Sequence, residues 1–374
     1  MAKSYDTEVL SQKSFYNVKN KCEASRKLKV YFSTPEKGIN ENTGILLLIA
    51  GFGGSASSNV YKKMRERFAD EYNLVTLQCD YFGWEFMQNN EHIKTLNLNK
   101  DELKNIFTQD EIGKIYSTGQ FNVNKFMKFA SKYKINLTVD ADLDDENIDN
   151  FNDMSFMQSI DNITALIYVI SVLYNKGNKF NAKKVIVFGH SHGAYLSNLC
   201  NLFAPGLVSL VIDNSSWIYP QYLKFNRVLS AKHGQMQVDR IYNYIAKNII
   251  KDFEIRDLKN LYKDFKNECK IVAFQGTTDS LVDFNEKREL CNNINNCFYN
   301  EINEDKVDGK VFKSTNHGLD ADFLELFKMV MNDERFNNFN KLDEIIIPDK
   351  VEFNSSKHKY VISYENIIPM IKVY

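Results

Sequence analysis

A serine placed between two histidines and two glycines carries the strongest chemical signal in this sequence. Residues 185–200, VIVFGHSHGAYLSNLC, run from an apolar stretch through Gly-His-Ser-His-Gly into a helix-like pattern. The spacing G-x-S-x-G predicts a sharp strand-to-helix turn that lifts the hydroxyl of Ser191 above the edge of a sheet. Gly189 and Gly193 would avoid Cβ clashes there, and the helix N-terminus favours developing negative charge. The motif therefore predicts that Ser191 is a nucleophile.

A nucleophilic serine needs a base and an acid that orients the base, and on such a turn the chain order is serine, acid, histidine. Three histidines follow Ser191. His233 lies in a predicted insertion, and His358 lies among lysines in an extended tail. His317 lies in KSTNHGLDADFLELF, a polar loop followed by a helix pattern. We predict His317 as the base, because a loop histidine above the sheet edge belongs at this point of the chain.

The acid is expected in a loop that follows a late strand. Residues 270–284, KIVAFQGTTDSLVDF, combine a strand pattern with a turn glycine, Gly276, and then Asp279, with Asp283 four residues later. Asp213, in VIDNSS, follows an earlier strand and stays open as an alternative. We predict Asp279, because its loop begins directly at a strand end.

An acyl-transfer site also needs two backbone N–H groups that hold the oxyanion. The residue after the nucleophile, His192, is predicted to supply one. The second is predicted to come from the glycine-rich loop AGFGGSASS, residues 50–58, with Phe52 as the donor and Gly53 as its neighbour. A phosphate-binding loop is the alternative for this segment, but the Lys-Ser/Thr pair of a P-loop is missing.

The two histidines beside the serine have other predicted roles. His190 is expected to shape the wall of a substrate site, and His192 to contribute its backbone. Neither is expected to be the base, because a neighbour on this turn points away from the nucleophile. A metal site on the His-x-His pair lacks a third ligand in the sequence. We predict no metal and no cofactor.

Buried strands that alternate with helices must position these residues. This alternation predicts an α/β fold with a mostly parallel sheet covered by helices on both faces. The predicted strands are residues 27–33, 44–50, 74–79, 184–188, 207–212 and 270–274. The predicted helices are residues 59–71, 157–174 and 193–203.

Two long insertions interrupt this alternation and are predicted to form a cap, because long insertions in α/β domains often carry function. They are residues 84–150 and residues 217–265, and the pattern of the latter predicts helix. The remaining segments, 1–83, 151–216 and 266–345, are assigned to the core, and 346–374 to an extended tail. Aromatic residues in the insertions are expected either to contact substrate or to pack in the core: Trp84, Phe86, Trp217 and Tyr219.

Composition excludes several other classes of protein. The 374 residues carry a formal net charge of -1 with mixed signs throughout, which does not suit nucleic-acid binding. The N-terminus lacks the apolar stretch of a signal peptide, and no segment has the pattern of a membrane span. The six cysteines form no CxxC pair and are expected to be reduced thiols. We expect a cytoplasmic protein, whose oligomeric state the sequence leaves open.

Several segments together resemble an uncharacterised family of bacterial α/β-hydrolase-like proteins, whose members are often encoded near flagellin-glycosylation and nonulosonic-acid genes. The resemblance spans roughly residues 27 to 330. It is carried by GFGGSASSNVYKKMRERFADEYN, FMQSIDNITALIYVI, GHSHGAYLSNLCNLFAPGLVSLVIDNSSWIYP and FQGTTDSLVD. It implies an α/β-hydrolase fold with cap insertions, the nucleophile at Ser191, the acid at Asp279, the histidine at His317, and the oxyanion donors at Phe52 and His192.

The residues and the resemblance together predict a serine hydrolase of the carboxylesterase or deacylase type. Its substrate would be a small-molecule ester or an acylated sugar, cleaved through an acyl-enzyme, with His190, Trp217 and Tyr219 in the substrate site. An acyltransferase with the same triad, a peptidase and a non-catalytic accessory protein of a glycosylation pathway are the alternatives.

Overall fold

The strands and helices follow the apolar pattern of the chain. A computed structural model describes residues 1–20, 22–88, 98–339, 344–364 and 367–374. Its strands are β1 (Lys3–Gln12), β2 (Ala24–Thr34), β3 (Gly44–Ile49), β4 (Leu74–Cys79), β5 (Asn136–Asp140), β6 (Val185–His190), β7 (Leu210–Asn214), β8 (Arg227–His233), β9 (Met236–Tyr242), β10 (Lys270–Gly276), β11 (Cys297–Ile302), β12 (Lys350–Asn354), β13 (Lys359–Ser363) and β14 (Met370–Val373).

The α-helices are α1 (Asn59–Tyr72), α2 (Lys100–Leu103), α3 (Gln109–Ile115), α4 (Val123–Ala130), α5 (Phe156–Asn175), α6 (His192–Phe203), α7 (Ala246–Ile249), α8 (Leu258–Tyr262), α9 (Phe284–Asn292), α10 (Phe323–Met331) and α11 (Glu334–Asn337). Short 3-10 turns lie at Trp84–Phe86, Gln221–Leu223, Glu254–Arg256 and Glu304–Lys306. The helices predicted from periodicity correspond to α1, α5 and α6.

The central sheet is mostly parallel, as predicted. Its strands lie in the order β1-β2-β4-β3-β6-β7-β10-β11. Every pair from β4 to β11 is parallel, whereas β1 and β2 form an antiparallel edge. All six strands predicted from the sequence lie in this sheet, while β1 and β11 were not predicted. In both missed strands, polar side chains are interspersed among the apolar ones, so they lack a continuous apolar run.

Helices cover both faces of the sheet, because its strands are apolar on both sides. Along β3, Ile45 and Leu47 face a cluster that includes α5 and α6. Leu46 faces a second cluster that contains Phe68 of α1 and Phe327 of α10. A continuous apolar run is what a strand buried on both faces requires.

The two insertions join in a second sheet, which brings them together in space. β5 of the first insertion pairs in parallel with β9 of the second, and β9 pairs antiparallel with β8. The expectation that residues 217–265 are helical is therefore wrong for the β8–β9 hairpin, whose two-residue turn contains Gly234 at φ 64°. Part of the first insertion, residues 89–97, lies outside the described residues. That the insertions act as a cap, and the core boundaries with it, stay predictions.

The C-terminal tail forms an antiparallel sheet, β12-β13-β14, whose pairing the sequence does not reveal. The Gln12 side-chain amide exchanges two hydrogen bonds of 2.7 Å with the backbone of Ile371. Tyr360, Ile362 and Ile371 are buried against the main apolar cluster. The tail thus packs on the core.

Among the helices in the described part of the chain, α5 is long and apolar enough to cross a membrane, but 83% of its most apolar window is buried inside the protein. It packs against the sheet and α6, which explains its composition. All six cysteines are free thiols, as expected, and four of them are buried.

Candidate active site

Ser191 lies on the turn between β6 and α6, in backbone geometry that an ordinary turn does not use. Its φ of 54° and ψ of -120° are strained for a residue with a side chain. Its N–H donates to the Asn214 carbonyl at 2.8 Å, which ties the turn to the end of β7. A Cβ at Gly189 would lie 2.3 Å from the Gly193 carbonyl oxygen, and one at Gly193 would lie 2.2 Å from that of Ile49. Both flanking glycines are thus required by the close approach of backbone.

Ser191, His317 and Asp279 form a continuous chain of hydrogen bonds. The Ser191 hydroxyl lies 2.6 Å from His317 Nε2, and His317 Nδ1 lies 2.7 Å from Asp279 Oδ2. Both distances are in the range of strong hydrogen bonds. With Nδ1 protonated and donating to the carboxylate, Nε2 is free to accept the serine proton. The structure therefore brings together the nucleophile, base and acid residues that the sequence predicts.

The loop after β10 holds the carboxylate of Asp279. Asp279 Oδ1 accepts the N–H groups of Leu281 and Val282 at 2.8 and 3.0 Å, and Oδ2 accepts the Gln275 amide at 2.7 Å. Burial acts to raise the pKa of this carboxyl, but its hydrogen bonds and charge interaction with His317, together with the other donors, bring the pKa below its ordinary value. Asp279 is thus an ionised acceptor next to His317.

The loop that carries His317 is fastened to the Asp279 loop. The Thr278 N–H donates to the Thr315 carbonyl at 3.0 Å, and the two threonine hydroxyls lie 2.6 Å apart. The Thr278 hydroxyl also contacts the Asn316 side-chain oxygen at 3.1 Å. These bonds fix the distance between acid and base although the two residues are 38 positions apart.

The alternative acids and bases lie in other surroundings. Asp213 pairs with Lys287 instead of a histidine. Asp283 accepts two backbone N–H groups at the start of α9. His233 ends β8 and is exposed, and His358 is exposed in the tail sheet. Neither histidine is placed at Ser191 in the described contacts.

The predicted oxyanion donors lie next to the nucleophile and in the loop after β3. His192 is the first residue of α6, and Phe52 lies in the loop after β3. Across the described part of the chain, the N–H groups of Phe52 and His192 have no hydrogen-bond acceptor. The Gly53 N–H, in contrast, points to the Met87 sulfur at 3.3 Å. Phe52 and His192 thus keep free N–H groups, and Gly53 serves as their neighbour.

The histidines beside Ser191 are neutral side chains, and His190 is the one that lines the cleft. Burial, and then the nearby His317, lower the pKa of His190 to about 4. His190 lines the cleft, and its Nδ1 lies 3.3 Å from the Asn214 amide nitrogen. Burial lowers the pKa of His192 to about 3, and its Nε2 lies 3.2 Å from the Met154 carbonyl oxygen.

A cleft of about 460 Å³ opens above Ser191. Trp217 lines it as predicted, but Tyr219 does not: its ring packs near Phe253 and beneath Lys224. Trp84 and Phe86 also lie outside the lining, in apolar clusters. The chain bends at Ile218 and Tyr219 instead of continuing as a strand, so the two rings do not share a face as residues two apart in a strand would. The remaining larger lining residues were not predicted: Tyr61, Gln88, Tyr222, Arg227, Leu281 and Phe323.

Metal-ligating side chains are dispersed over the described parts of the chain. Within residues 1–20, 22–88, 98–339, 344–364 and 367–374, no three His, Cys, Asp or Glu side chains are grouped so that they could hold an ion.

Solved structures with the same architecture include an acylaminoacyl peptidase in complex with Z-Gly-Gly-Phe-chloromethyl ketone, at TM-score 0.50 and 10% identity over 93% of this chain and 43% of the peptidase. Est1E from Butyrivibrio proteoclasticus with ferulic acid bound is similar at TM-score 0.42 and 15% identity, covering 81% of this chain and 92% of Est1E. The butyrate-bound esterase Est2 from Thermogutta terrifontis is similar at TM-score 0.43 and 12% identity, covering 86% of this chain and 93% of Est2.

The strand order and the likeness to the peptidase show an α/β-hydrolase fold. The chain spans less than half the length of that peptidase chain. Comparison with curated protein sequences gives no match. Residues 21–244, more than half of the chain, match the model of a family described as a protein of unknown function (DUF2920), and the chain therefore belongs to that family.

Proposed function

We propose that this protein is a serine hydrolase that cleaves a carboxylic ester or acyl group through Ser191, His317 and Asp279. The proposal is carried by the hydrogen-bonded chain of these three side chains, at 2.6 and 2.7 Å, on a turn where Ser191 has φ 54°. Strained geometry of this kind persists where the surrounding structure enforces it, and it often marks a functional site.

In the proposed reaction, Ser191 Oγ attacks the substrate carbonyl carbon while its proton passes to His317 Nε2. The N–H groups of Phe52 and His192 hold the oxyanion of the tetrahedral intermediate. His317 then gives its proton to the departing alcohol, which leaves an acyl-serine. Water, deprotonated by His317, releases the acid and restores the serine. Asp279 holds the imidazole in the required tautomer and stabilises its charged form.

The dimensions and chemistry of the cleft support a small substrate. Its volume of about 460 Å³ falls in the range of small-molecule sites. Aromatic rings of Phe52, Trp217 and Tyr222 line it and offer apolar faces. Such faces suit an acyl chain or a sugar ring, and the resemblance to proteins encoded near glycosylation genes motivates an acylated sugar. The free thiols favour a reducing compartment such as the cytoplasm.

The first test is labelling of the purified protein with a fluorophosphonate probe, which reacts with activated serines. Wild-type protein should label, and Ser191→Ala should not. Ser230→Ala, the same change on the exposed face of β8, serves as the control and should label like wild type. Equal labelling of the Ser191→Ala protein, or none of folded wild type, would contradict the proposal.

A second test measures hydrolysis of 4-nitrophenyl esters from acetate to octanoate. The limited volume of the cleft predicts a preference for short acyl chains, with kcat/KM falling once the chain exceeds the space beside Trp217. The same series with Ser191→Ala should show no turnover above background.

A further inference from the structure

Among the described residues that line the cleft, Arg227 carries a permanent charge. The lining described for the cleft contains polar, aromatic and apolar side chains, two histidines and this one arginine. None of the described lining residues is acidic. Arg227 is the first residue of β8, so the second insertion delivers this charge to the site. A cation in a small cleft whose described lining residues include no acid attracts a negatively charged ligand.

Aromatic rings hold the guanidinium in place. Its central carbon lies 4.5 Å from the ring centre of Phe52 and 5.5 Å from that of Tyr222. Stacking of this kind fixes the orientation of the planar group, but ring faces accept no strong hydrogen bonds. Because Phe52 is also a proposed oxyanion donor, the charge lies close to the place where the reacting carbonyl would bind.

Part of the hydrogen-bonding capacity of this guanidinium is not used within the protein. Its Nε and Nη1 atoms are buried and have no hydrogen-bond partner. Among the described residues, no carboxylate forms an ion pair with it. The guanidinium has a side-chain hydrogen bond with the Tyr244 hydroxyl, a neutral group that itself donates to the Met87 carbonyl at 2.5 Å. A charge in this position is costly unless an acceptor arrives with a ligand.

We propose that Arg227 binds a carboxylate, or an equivalent oxyanionic group, on the substrate. This inference rests on the proposed hydrolase function and narrows its substrate class to anionic esters. The planar fork of arginine matches a carboxylate with two parallel hydrogen bonds, which a neutral ester cannot form. The remaining cleft residues would then contact the apolar part of the substrate, while Arg227 sets its orientation.

The experiment compares two matched pairs of esters. In the first pair the carboxylate lies on the acyl side: mono-4-nitrophenyl adipate against 4-nitrophenyl heptanoate. In the second it lies on the alcohol side: 4-acetoxybenzoate against its methyl ester. We expect wild type to prefer the anionic member of at least one pair, and the pair that responds shows on which side of the scissile bond the charge belongs.

Variants of Arg227 then test the cause of this preference. In Arg227→Met, the ratio of kcat/KM for the anionic ester to that for its neutral partner should fall about 10- to 100-fold, as for loss of a charged hydrogen bond. Arg227→Lys should restore part of it, because the charge returns without the fork. The matched control is Lys224→Met, which removes one positive charge beside Tyr219, outside the cleft, and should leave the ratio unchanged.

A positioning role for Arg227, through its stacking on Phe52, would give a different result. Both members of each pair would then lose kcat alike, and the ratio would stay at the wild-type value. That outcome, or a wild-type enzyme with no anionic preference in either pair, would overturn the inference while leaving the hydrolase proposal intact.

A binding measurement separates the two proposals further. Quenching of tryptophan fluorescence in Ser191→Ala, whose cleft contains Trp217, reports ester binding without turnover. Tighter binding of the anionic ester, lost in the Ser191→Ala, Arg227→Met double variant, would support the anion site even if no ester is cleaved. Equal binding of both esters would contradict it. Failure of wild type to label or turn over, with anion binding retained, would count against the hydrolase alone.

Discussion

Two aspartates at the ends of neighbouring parallel strands have the same place in the fold but opposite surroundings. Asp213 lies in β7, and Asp279 follows β10, the next strand in the sheet. Both side chains are shielded from solvent, at 1% and 0% exposure. Asp279 is hydrogen-bonded to His317, whereas Asp213 forms an ion pair with the ammonium of Lys287 at 2.7 Å. Position at a strand end therefore does not define the acid of the site.

The partners of Asp213 make it part of the scaffold. Its Oδ1 accepts the Ser216 N–H at 2.8 Å, and its Oδ2 accepts the Asn198 amide at 3.0 Å as well as Lys287. Lys287 also contacts the Ser216 hydroxyl. Burial would lower the pKa of the Lys287 ammonium, but Asp213 raises it above its ordinary value. The pair thus anchors the start of the loop that leads to Trp217, while the Asp279 loop supports the imidazole.

Substitution of the two aspartates should differ most in its effect on turnover. Asp279→Asn removes the acceptor that fixes the His317 tautomer, and kcat should fall about 10⁴-fold with little change in fold. Asp213→Asn should keep kcat per folded molecule within about tenfold while lowering stability. Steady-state kinetics and circular dichroism on both variants provide the comparison. A larger loss of kcat in Asp213→Asn than in Asp279→Asn would mean that the acid has been wrongly assigned.

The effects on stability should have the opposite order, with the larger loss from changes at the Asp213–Lys287 pair. Lys287→Met strands a buried carboxylate, and the free energy of unfolding should fall by about 3–5 kcal/mol. The double variant Lys287→Met, Asp213→Asn removes both charges and should recover most of that loss. Urea unfolding of the two variants measures it. A single variant as stable as wild type would show that the ion pair contributes nothing to the scaffold.

His190 lies between the end of β7 and the loop that carries His317, and its protonation should destabilise the folded chain. An unfolded chain binds a proton at this side chain below pH 6.5, whereas the folded chain does so only near pH 4. The contribution of neutral His190 to the free energy of unfolding is therefore complete above pH 6.5. It should be lost as pH falls towards 4, by about 3 kcal/mol at most. His190→Asn should flatten this part of the stability profile. An unchanged slope in the variant would assign the acid sensitivity to other groups.

The sequence alone was sufficient for the elements that one local pattern defines. The apolar run of β3 and the G-x-S-x-G turn each depend on a few consecutive residues, and the mostly parallel sheet follows from their repetition. That Ser191, Asp279 and His317 lie together could be predicted because each lies just beyond such a pattern. The β8–β9 hairpin was mistaken for helix because its alternation is weak: its outer strand is largely exposed.

What the sequence could not supply is contact between distant segments. Lys287 lies 74 residues from Asp213, and no spacing rule indicates that they pair. Arg227 and Tyr222 reach the cleft only because the second insertion folds back over the loop that carries Phe52. Tyr219 is predicted at the site as an aromatic residue of the second insertion, but its ring packs near Phe253. Such placements depend on tertiary packing, which composition and periodicity do not encode locally.

The smallest effect is expected from a residue that supports only one of the two aspartates. Gln275 donates to Asp279 Oδ2 at 2.7 Å, while its own side-chain oxygen is buried without a partner. Gln275→Leu should lower kcat/KM only about 3- to 10-fold, with little loss of stability, because the N–H groups of Leu281 and Val282 still hold the carboxylate. Because the Gln275 bond helps to lower the pKa of Asp279, its removal should raise the pKa of that carboxyl. Gln275→Glu keeps the shape but places a second carboxylate beside Asp279, so it should cost more activity than leucine. If the leucine and glutamate variants behave alike, the side chain at position 275 has no part in holding Asp279. The backbone N–H groups that Asp279 accepts would then alone distinguish it from Asp213.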